Sequence, residues 1–247
     1  MTTRIRVATY NIHKCKGLDR RTSPERIAAV IADLDADVVA LQEVLDVQNG
    51  RPEFNQARQI FSKLGGYEWC FGENRRLHGG AYGNMTLSRF PVQVCQNYDV
   101  TWRTRERRGR LRTDVVLGKN TVLHVFNVHL GTSYMERRHQ ARTLLSGDVL
   151  NQKECRGPRI VVGDFNEWTR GLASRLMRNA FEVVEPREFL RHARTYPGIL
   201  PLLHLDHFYY DEELSLRHFH LHRSRKALIA SDHLPLVAEF ETKVSGT

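Results

Sequence analysis

The chain has 247 residues, of which 41% are hydrophobic and 26% charged, so it has the composition of an ordered globular protein rather than a disordered or low-complexity one, and is long enough to bury its own core as one domain, 1–247. Its formal net charge is +9, carried mostly by Arg, which favours anionic partners such as nucleic acid or phospholipid headgroups over basic ones. With no run of eighteen apolar residues, no transmembrane helix is expected.

The first predicted element is a strand over residues 4–12, where β-rich residues alternate from close to the start. No apolar signal stretch precedes it, which points to a cytoplasmic protein. Ser23 followed by Pro24 reads as a helix cap and first-turn proline, and Ile27, Val30, Ile31 and Leu34 follow at helical spacing. Val38 to Val44 is a nearly continuous apolar strand, and residues 56–64 read as a helix stopped by Gly65-Gly66. Strands are expected at 67–71, 84–88, 91–100, 111–117 and 121–130, then a helix over 134–150. An apolar strand at 159–164, a short helix at 171–179 and strands near 204–210, 214–222 and 235–241 complete the chain. Strands and helices mixed over one unbroken length predict two packed sheets flanked by helices.

Cys15, Cys70, Cys95 and Cys155 are widely spaced and form no Cys-x-x-Cys pair, which argues against a zinc or thioredoxin-like site. An even number of cysteines does not by itself imply disulfides in a chain of this size, and a reducing compartment is the simpler reading.

Chemistry is expected where polar residues end apolar strands, because a carboxylate buried there without a partner is costly. Five segments show this pattern. Asn11 ends the first strand and Glu43 the second. His129 ends Val125-Phe126-Asn127-Val128-His129. Asp164 and Asn166 follow Ile160-Val161-Val162-Gly163, at a spacing that points both side chains the same way in a strand. Asp232 and His233 precede the last strand, and upstream Asp206 starts another, with the potential to hold an imidazole in one tautomer. Taken singly, Asn11, Glu43 and His129 are better read structurally, as a turn Asn, an exposed strand-end charge and a satisfied strand histidine. Gly163-Asp164-Phe165-Asn166 is the most specific.

Taken together and in order, Thr9-Tyr10-Asn11-Ile12, Gln42-Glu43-Val44, Gly83-Asn84 through Pro91, Asn127-Val128-His129-Leu130, Gly163-Asp164-Phe165-Asn166, Leu205-Asp206 and Ser231-Asp232-His233-Leu234-Pro235 resemble the endonuclease/exonuclease/phosphatase superfamily. That superfamily includes DNase I, exonuclease III-type AP endonucleases, neutral sphingomyelinases and inositol polyphosphate 5-phosphatases. The resemblance implies a DNase I-like, four-layered α/β sandwich with its site at one edge of two packed sheets, and a divalent-metal-dependent phosphoesterase. It implies Glu43 as the main Mg²⁺ ligand (Mn²⁺ substituting), with Asn11 nearby and Asp232 on the metal side. It also implies Asp164 as the group that orients or deprotonates water, Asn166 as a phosphate contact, and His233 oriented by Asp206. His129 matches a second histidine of the DNase I and sphingomyelinase branches and lowers the expectation of an AP endonuclease. Hard oxygen donors of this kind suit Mg²⁺ or Mn²⁺ rather than zinc.

Substrate-contact candidates are Asn84, on a glycine-rich stretch read as a loop before a strand, Arg107, within an Arg-rich run over 103–112 whose alternate arginines would share one face in a strand, and Tyr196. His218, His220 and His222 alternate and are read as a polar outer face. The expected substrate is a phosphodiester, in nucleic acid or a phospholipid headgroup. The competing readings are a phosphomonoesterase acting on a small metabolite and a non-catalytic phosphate-binding module. The basic surface is also compatible with peripheral docking on anionic lipid.

Overall fold

The computed structural model describes residues 2–47, 55–118, 121–146, 155, 157–167, 171–185, 189, 194–198, 200 and 202–242. Twelve strands in these segments make two six-stranded mixed sheets. The first sheet has the order β11-β12-β1-β2-β4-β3 and is built from β1 (Arg4–Asn11), β2 (Val38–Asp46), β3 (Glu68–Leu77), β4 (Gly80–Ser88), β11 (Leu214–Leu221) and β12 (Leu236–Thr242). The second has the order β5-β6-β7-β8-β10-β9 and is built from β5 (Val92–Asp99), β6 (Gly109–Gly118), β7 (Thr121–His129), β8 (Arg159–Asp164), β9 (Glu182–Val183) and β10 (Asp206–Tyr210). The pairs β1–β2 and β7–β8 are parallel. The other pairings are antiparallel.

Burial on both faces explains why the central strands read as continuous apolar runs rather than alternating ones. In β1, Ile5 and Val7 face the second sheet and pack with Val125, Ile160, Val162 and Phe208. The intervening Ala8 and Tyr10 face outward, onto Ile27, Ile31 and Leu34 of α1 (Pro24–Leu34), Ile60 of α2 (Gln56–Lys63) and Ala227 of α5 (Arg225–Ala230). On the far side, Phe126, Val128, Val161 and Tyr209 pack under Leu144 of α3 (Tyr134–Leu144) and Met177 of α4 (Leu172–Arg178). The layers are therefore helix, sheet, sheet, helix, as the resemblance implies. Ser23 caps α1 by accepting from Arg26 N, with Pro24 in the first turn, as its sequence predicts.

A buried amide ties the two sheets together. Asn127 on β7 donates to the carbonyls of Leu41 and Met85, both 3.0 Å away, and its oxygen accepts from Gln42 Nε2 at 2.8 Å. The strand motif around residue 127 thus carries a structural bridge as well as the histidine two residues later.

Four expectations need correction. The glycine-rich stretch before residue 84 is not a loop. Gly80 to Asn84 lie in β4, which forms a hairpin with β3 through Gly79 at φ 83°. The glycines are needed for contact between strands, since a Cβ on Gly83 would sit 1.8 Å from the Gly72 carbonyl oxygen. The run 103–112 does not form one strand either. β6 starts at Gly109, so Arg103, Arg105 and Arg107 are exposed on the preceding loop, whereas Arg110 and Arg112 are buried on an interior strand. Arg112 is stabilised there by a two-point contact with Asp114, and Arg110 lies over the Tyr98 ring at 4.9 Å. The helix after residue 134 ends at Leu144, and 147–150 fall outside the described residues. Lastly, Cys70 and Cys95 form a disulfide. They sit on β3 and β5, the edge strands of different sheets, which the fold brings side by side although 25 residues separate them. The cysteines therefore give no support to a reducing compartment. Cys15 and Cys155 are buried and take no part in that disulfide.

Candidate active site

Strand register assembles the site. On β7, β8 and β10, His129 lies opposite Asp164 and Asp164 opposite Asp206, placing three chemically active side chains in one row at a single sheet edge. In the facing sheet, Asn11 ends β1 beside Gln42 of β2. The two rows meet where Asn11 Nδ2 donates to Asp164 Oδ2 at 3.0 Å and contacts Glu43 Oε1 at 3.4 Å.

Local backbone distortions aim these groups. The β2–β4 register shifts between Leu41 and Val44, and Glu43 within that bulge has φ 60°, a left-handed value that is costly for a residue with a side chain. After β1, His13, Lys14 and Cys15 all have positive φ, and this left-handed turn sets the Lys14 ammonium on the Glu43 carboxylate. Asn166 has φ 50°, which Asn tolerates better than most residues. Its backbone N–H donates to Asp164 Oδ1 at 2.8 Å and its side chain donates to the Leu130 carbonyl at 2.8 Å. Gly163 has φ 142°, and a Cβ there would lie 2.0 Å from the Val128 carbonyl oxygen, so only glycine lets β8 approach β7 this closely before Asp164.

His233 Nδ1 is 3.0 Å from Asp206 Oδ2, and its Nε2 is 3.8 Å from Asp164 Oδ2. All three residues are at most 5% exposed. Burial works against an imidazolium, but Asp206 outweighs it and His233 is pushed up to about 10. Burial likewise raises Asp164, to about 6, with Asp206 adding to the effect and His233 opposing it. For Glu43, burial is outweighed by the nearby cationic groups, which hold its carboxyl at about 2.

His129 is held differently. Its Nδ1 is 3.0 Å from Arg108 Nη1, and its Nε2 is 3.6 Å from Asp164 Oδ2. A guanidinium only donates, so Nδ1 is the acceptor and the ring proton sits on Nε2, facing Asp164. Burial and the Arg108 charge both hold His129 well below its ordinary range.

The structure thus brings together Asn11, Glu43, His129, Asp164, Asn166, Asp206 and His233. Asp232 sits at the rim, 3.5 Å from His13 Nδ1. Tyr196 packs on the His233 ring with centroids 5.0 Å apart. Asn84 is fully buried, donating to the carbonyl of Asn127 at 3.2 Å and more weakly to that of Gly109 at 3.4 Å, so it braces the sheets beneath the site. Arg107 points away into solvent, and its neighbour Arg108 is the arginine that enters. Sequence reasoning missed Arg108 and Lys14. The Arg-rich run was a signal for the first, but its register was not, and nothing in the spacing marked the second.

The donors suit a hard divalent cation. Glu43 and Asp232 offer carboxylate oxygens, Asn11 Oδ1 accepts from His13 N–H at 3.0 Å and keeps a second lone pair, the Glu43 carboxylate already attracts a cationic side chain, and Asp206 Oδ1 is buried without a hydrogen-bond partner. Ligand atoms of Asp164, Asp206 and His233 also lie within 4.8 Å of one another.

Two mixed sheets with a buried Asp–His pair, a second histidine and an Asn–Glu pair meeting at one edge define a DNase I-like hydrolase fold. The chain belongs to the Endonuclease/Exonuclease/phosphatase family, whose family model matches residues 8–233, and members of that family are hydrolases acting on phosphoesters. It is 32% identical over 246 residues to the uncharacterized protein YbhP of Escherichia coli, covering 95% of each chain. It is similar in structure to an endonuclease/exonuclease/phosphatase from Beutenbergia cavernae, with TM-score 0.77, 22% identity, and 97% of this chain and 72% of that one covered. It is also similar to one from Bacteroides vulgatus, with TM-score 0.79, 18% identity, and 97% and 99% covered.

Proposed function

We propose that this chain, as one catalytic unit over 1–247, is a divalent-metal-dependent phosphodiesterase that cleaves its substrate by attack of water. The observation that carries this reading is the contact of Asp164 with Asn11 on one side and its approach to His233 on the other, with His233 anchored by Asp206.

Glu43 and Asn11, with Asp232, would hold Mg²⁺ or Mn²⁺, which when bound supplies positive charge to offset that of the phosphate. Asp164 accepts the proton of the attacking water. Its two oxygens are fixed by the Asn166 N–H and the Asn11 amide, so it holds one orientation as it does so. His233, protonated through neutral pH by virtue of Asp206, presents Nε2–H to a phosphate oxygen and stabilises the charge that grows there. His129 presents its Nε2–H from the neighbouring strand, with Arg108 holding the tautomer. These donors are fixed before substrate arrives, so little reorganisation is left for the reaction step.

The test is turnover at neutral pH of DNA, abasic duplex, phospholipids, inositol phosphates and simple monoesters, with Mg²⁺ or Mn²⁺ and with EDTA. Diester cleavage that needs the metal and falls about 10²–10⁴-fold in D164A supports the reading. Cleavage of monoesters alone would replace it with a phosphomonoesterase, and binding without any turnover with a phosphate-binding module.

A further inference from the structure

Large apolar side chains left in solvent are distributed unevenly over the molecule. Among the described residues these are Leu18, Tyr134, Met135, Phe189, Leu200, Leu202 and Ile229. All but Phe189 lie within a few residues, along the chain, of residues that stand at or against the site. Leu18 follows the left-handed turn that carries Lys14, and Ile229 is three residues before Asp232. Leu200 and Leu202 lie between Tyr196, which packs on His233, and Asp206. Tyr134 and Met135 open the helix that follows His129.

Backbone hydrogen bonds join three of these segments into one surface. Leu18 N donates to the Ile229 carbonyl at 3.0 Å, Gly198 N to the Asp232 carbonyl at 2.7 Å, and Leu202 N to the Tyr196 carbonyl at 2.8 Å. Leu18, Leu200 and Leu202, on loops, and Ile229, at the end of α5, at 37%, 67%, 55% and 47% exposure, therefore stand on segments joined to one another or to the Asp232–His233 stretch. The charges on the same segments, Asp232 at the site rim aside, are mainly basic. Lys16, Arg20 and Arg225 are exposed, and the acidic Asp19 is paired with Arg26.

Scattered exposed leucines on a soluble protein need no explanation, but an apolar rim flanked by cations around a phosphoesterase site does. Nucleic acid would gain from the cations and little from the leucines. A bilayer surface of anionic phospholipid uses both, since the aliphatic side chains enter the headgroup–acyl boundary while Lys and Arg meet the phosphates. We propose that this rim docks the enzyme on an anionic phospholipid surface, and that its substrate is a phosphodiester within that surface. The inference rests on the phosphodiesterase reading above and names the substrate class for the same site.

The test uses the full chain and sedimentation with phosphatidylcholine vesicles, with and without phosphatidylglycerol, at low and high salt. Turnover of the soluble diester bis(p-nitrophenyl) phosphate is followed in parallel. Wild type is expected to sediment with the anionic vesicles at low salt. The L200S/L202S/I229S variant should lose roughly tenfold or more of that binding, because three aliphatic contacts are removed, while keeping its soluble-diester turnover. K16E/R225E should lose binding chiefly to the anionic vesicles. If the triple variant does not fold, L200S alone, at a side chain two-thirds exposed, carries the test with a smaller loss. Wild type remaining in the supernatant at low salt overturns the inference, as does unchanged binding by the Ser variants. So does a DNA fragment that displaces the vesicles and binds the Ser variants as well as wild type, which would assign the rim to nucleic acid. Soluble-diester turnover without vesicle binding would sink the docking surface alone, whereas rim-dependent vesicle binding without turnover of any diester would sink the phosphodiesterase reading.

Discussion

Nδ1 of His233 lies 3.0 Å from a carboxylate oxygen of Asp206, a residue 27 positions earlier on the opposite sheet's β10, and both are buried. Asp206 raises the imidazole to about 10 against the opposing effect of burial. A raised folded pKa means the protonated form persists through neutral pH and is lost only as pH rises past that value. In D206N the supporting charge is gone, so the alkaline limb of the pH–rate profile is expected to move to lower pH and the rate at neutral pH to fall. A limb that stays in place would show that His233 is not held protonated by this contact.

Arg108 is expected to act through His129. Burial, and with it the guanidinium charge, keeps the ring neutral, and the contact to Nδ1 leaves the proton on Nε2. Removing the charge in R108A should raise the His129 pKa, visible as a shifted imidazole titration by NMR. Turnover should fall about 10²–10³-fold, as for loss of one aligned donor. R108K keeps the charge but not the planar geometry, and should restore the titration more fully than the rate.

Asn127 holds the sheets together through Leu41, Met85 and Gln42. N127A leaves two carbonyls and one amide without these partners in a buried interface. A loss of about 2–4 kcal/mol in unfolding free energy is expected by denaturant titration. A loss below about 0.5 kcal/mol would mean that water or rearrangement satisfies those groups.

Asp114 bears on acid stability. Burial would raise its carboxyl, but bonds from His124 and Arg112 hold it below the ordinary carboxylate range. A depressed folded pKa contributes stability above the unfolded value, and this contribution is lost as pH falls through the folded value. D114N should melt at lower temperature at neutral pH and show a shallower loss of Tm than wild type as pH drops from the ordinary carboxylate range. Parallel melting curves across that range would exclude a role for Asp114.

The sequence by itself determined the identity and order of the strands that carry the site, because a strand buried on both faces must be apolar and a polar residue ending it stands out. Asn11, Glu43, His129 and Asp164 drew notice for that reason, but it was their order along the chain with Asn166, Asp206 and His233, through the family resemblance, that marked them as one candidate site and implied the layered fold. Tertiary structure alone decided which neighbour faces inward. Arg107 and Arg108 are equally plausible until β6 is seen to start at Gly109, and a shift of one residue exchanges core for solvent. It also decided the long-range pairs, namely Lys14 with Glu43, Cys70 with Cys95 across two sheets, and Asn127 with three residues of the facing sheet. Such contacts depend on how sheets pack, and packing leaves no periodic trace in the residues that make them.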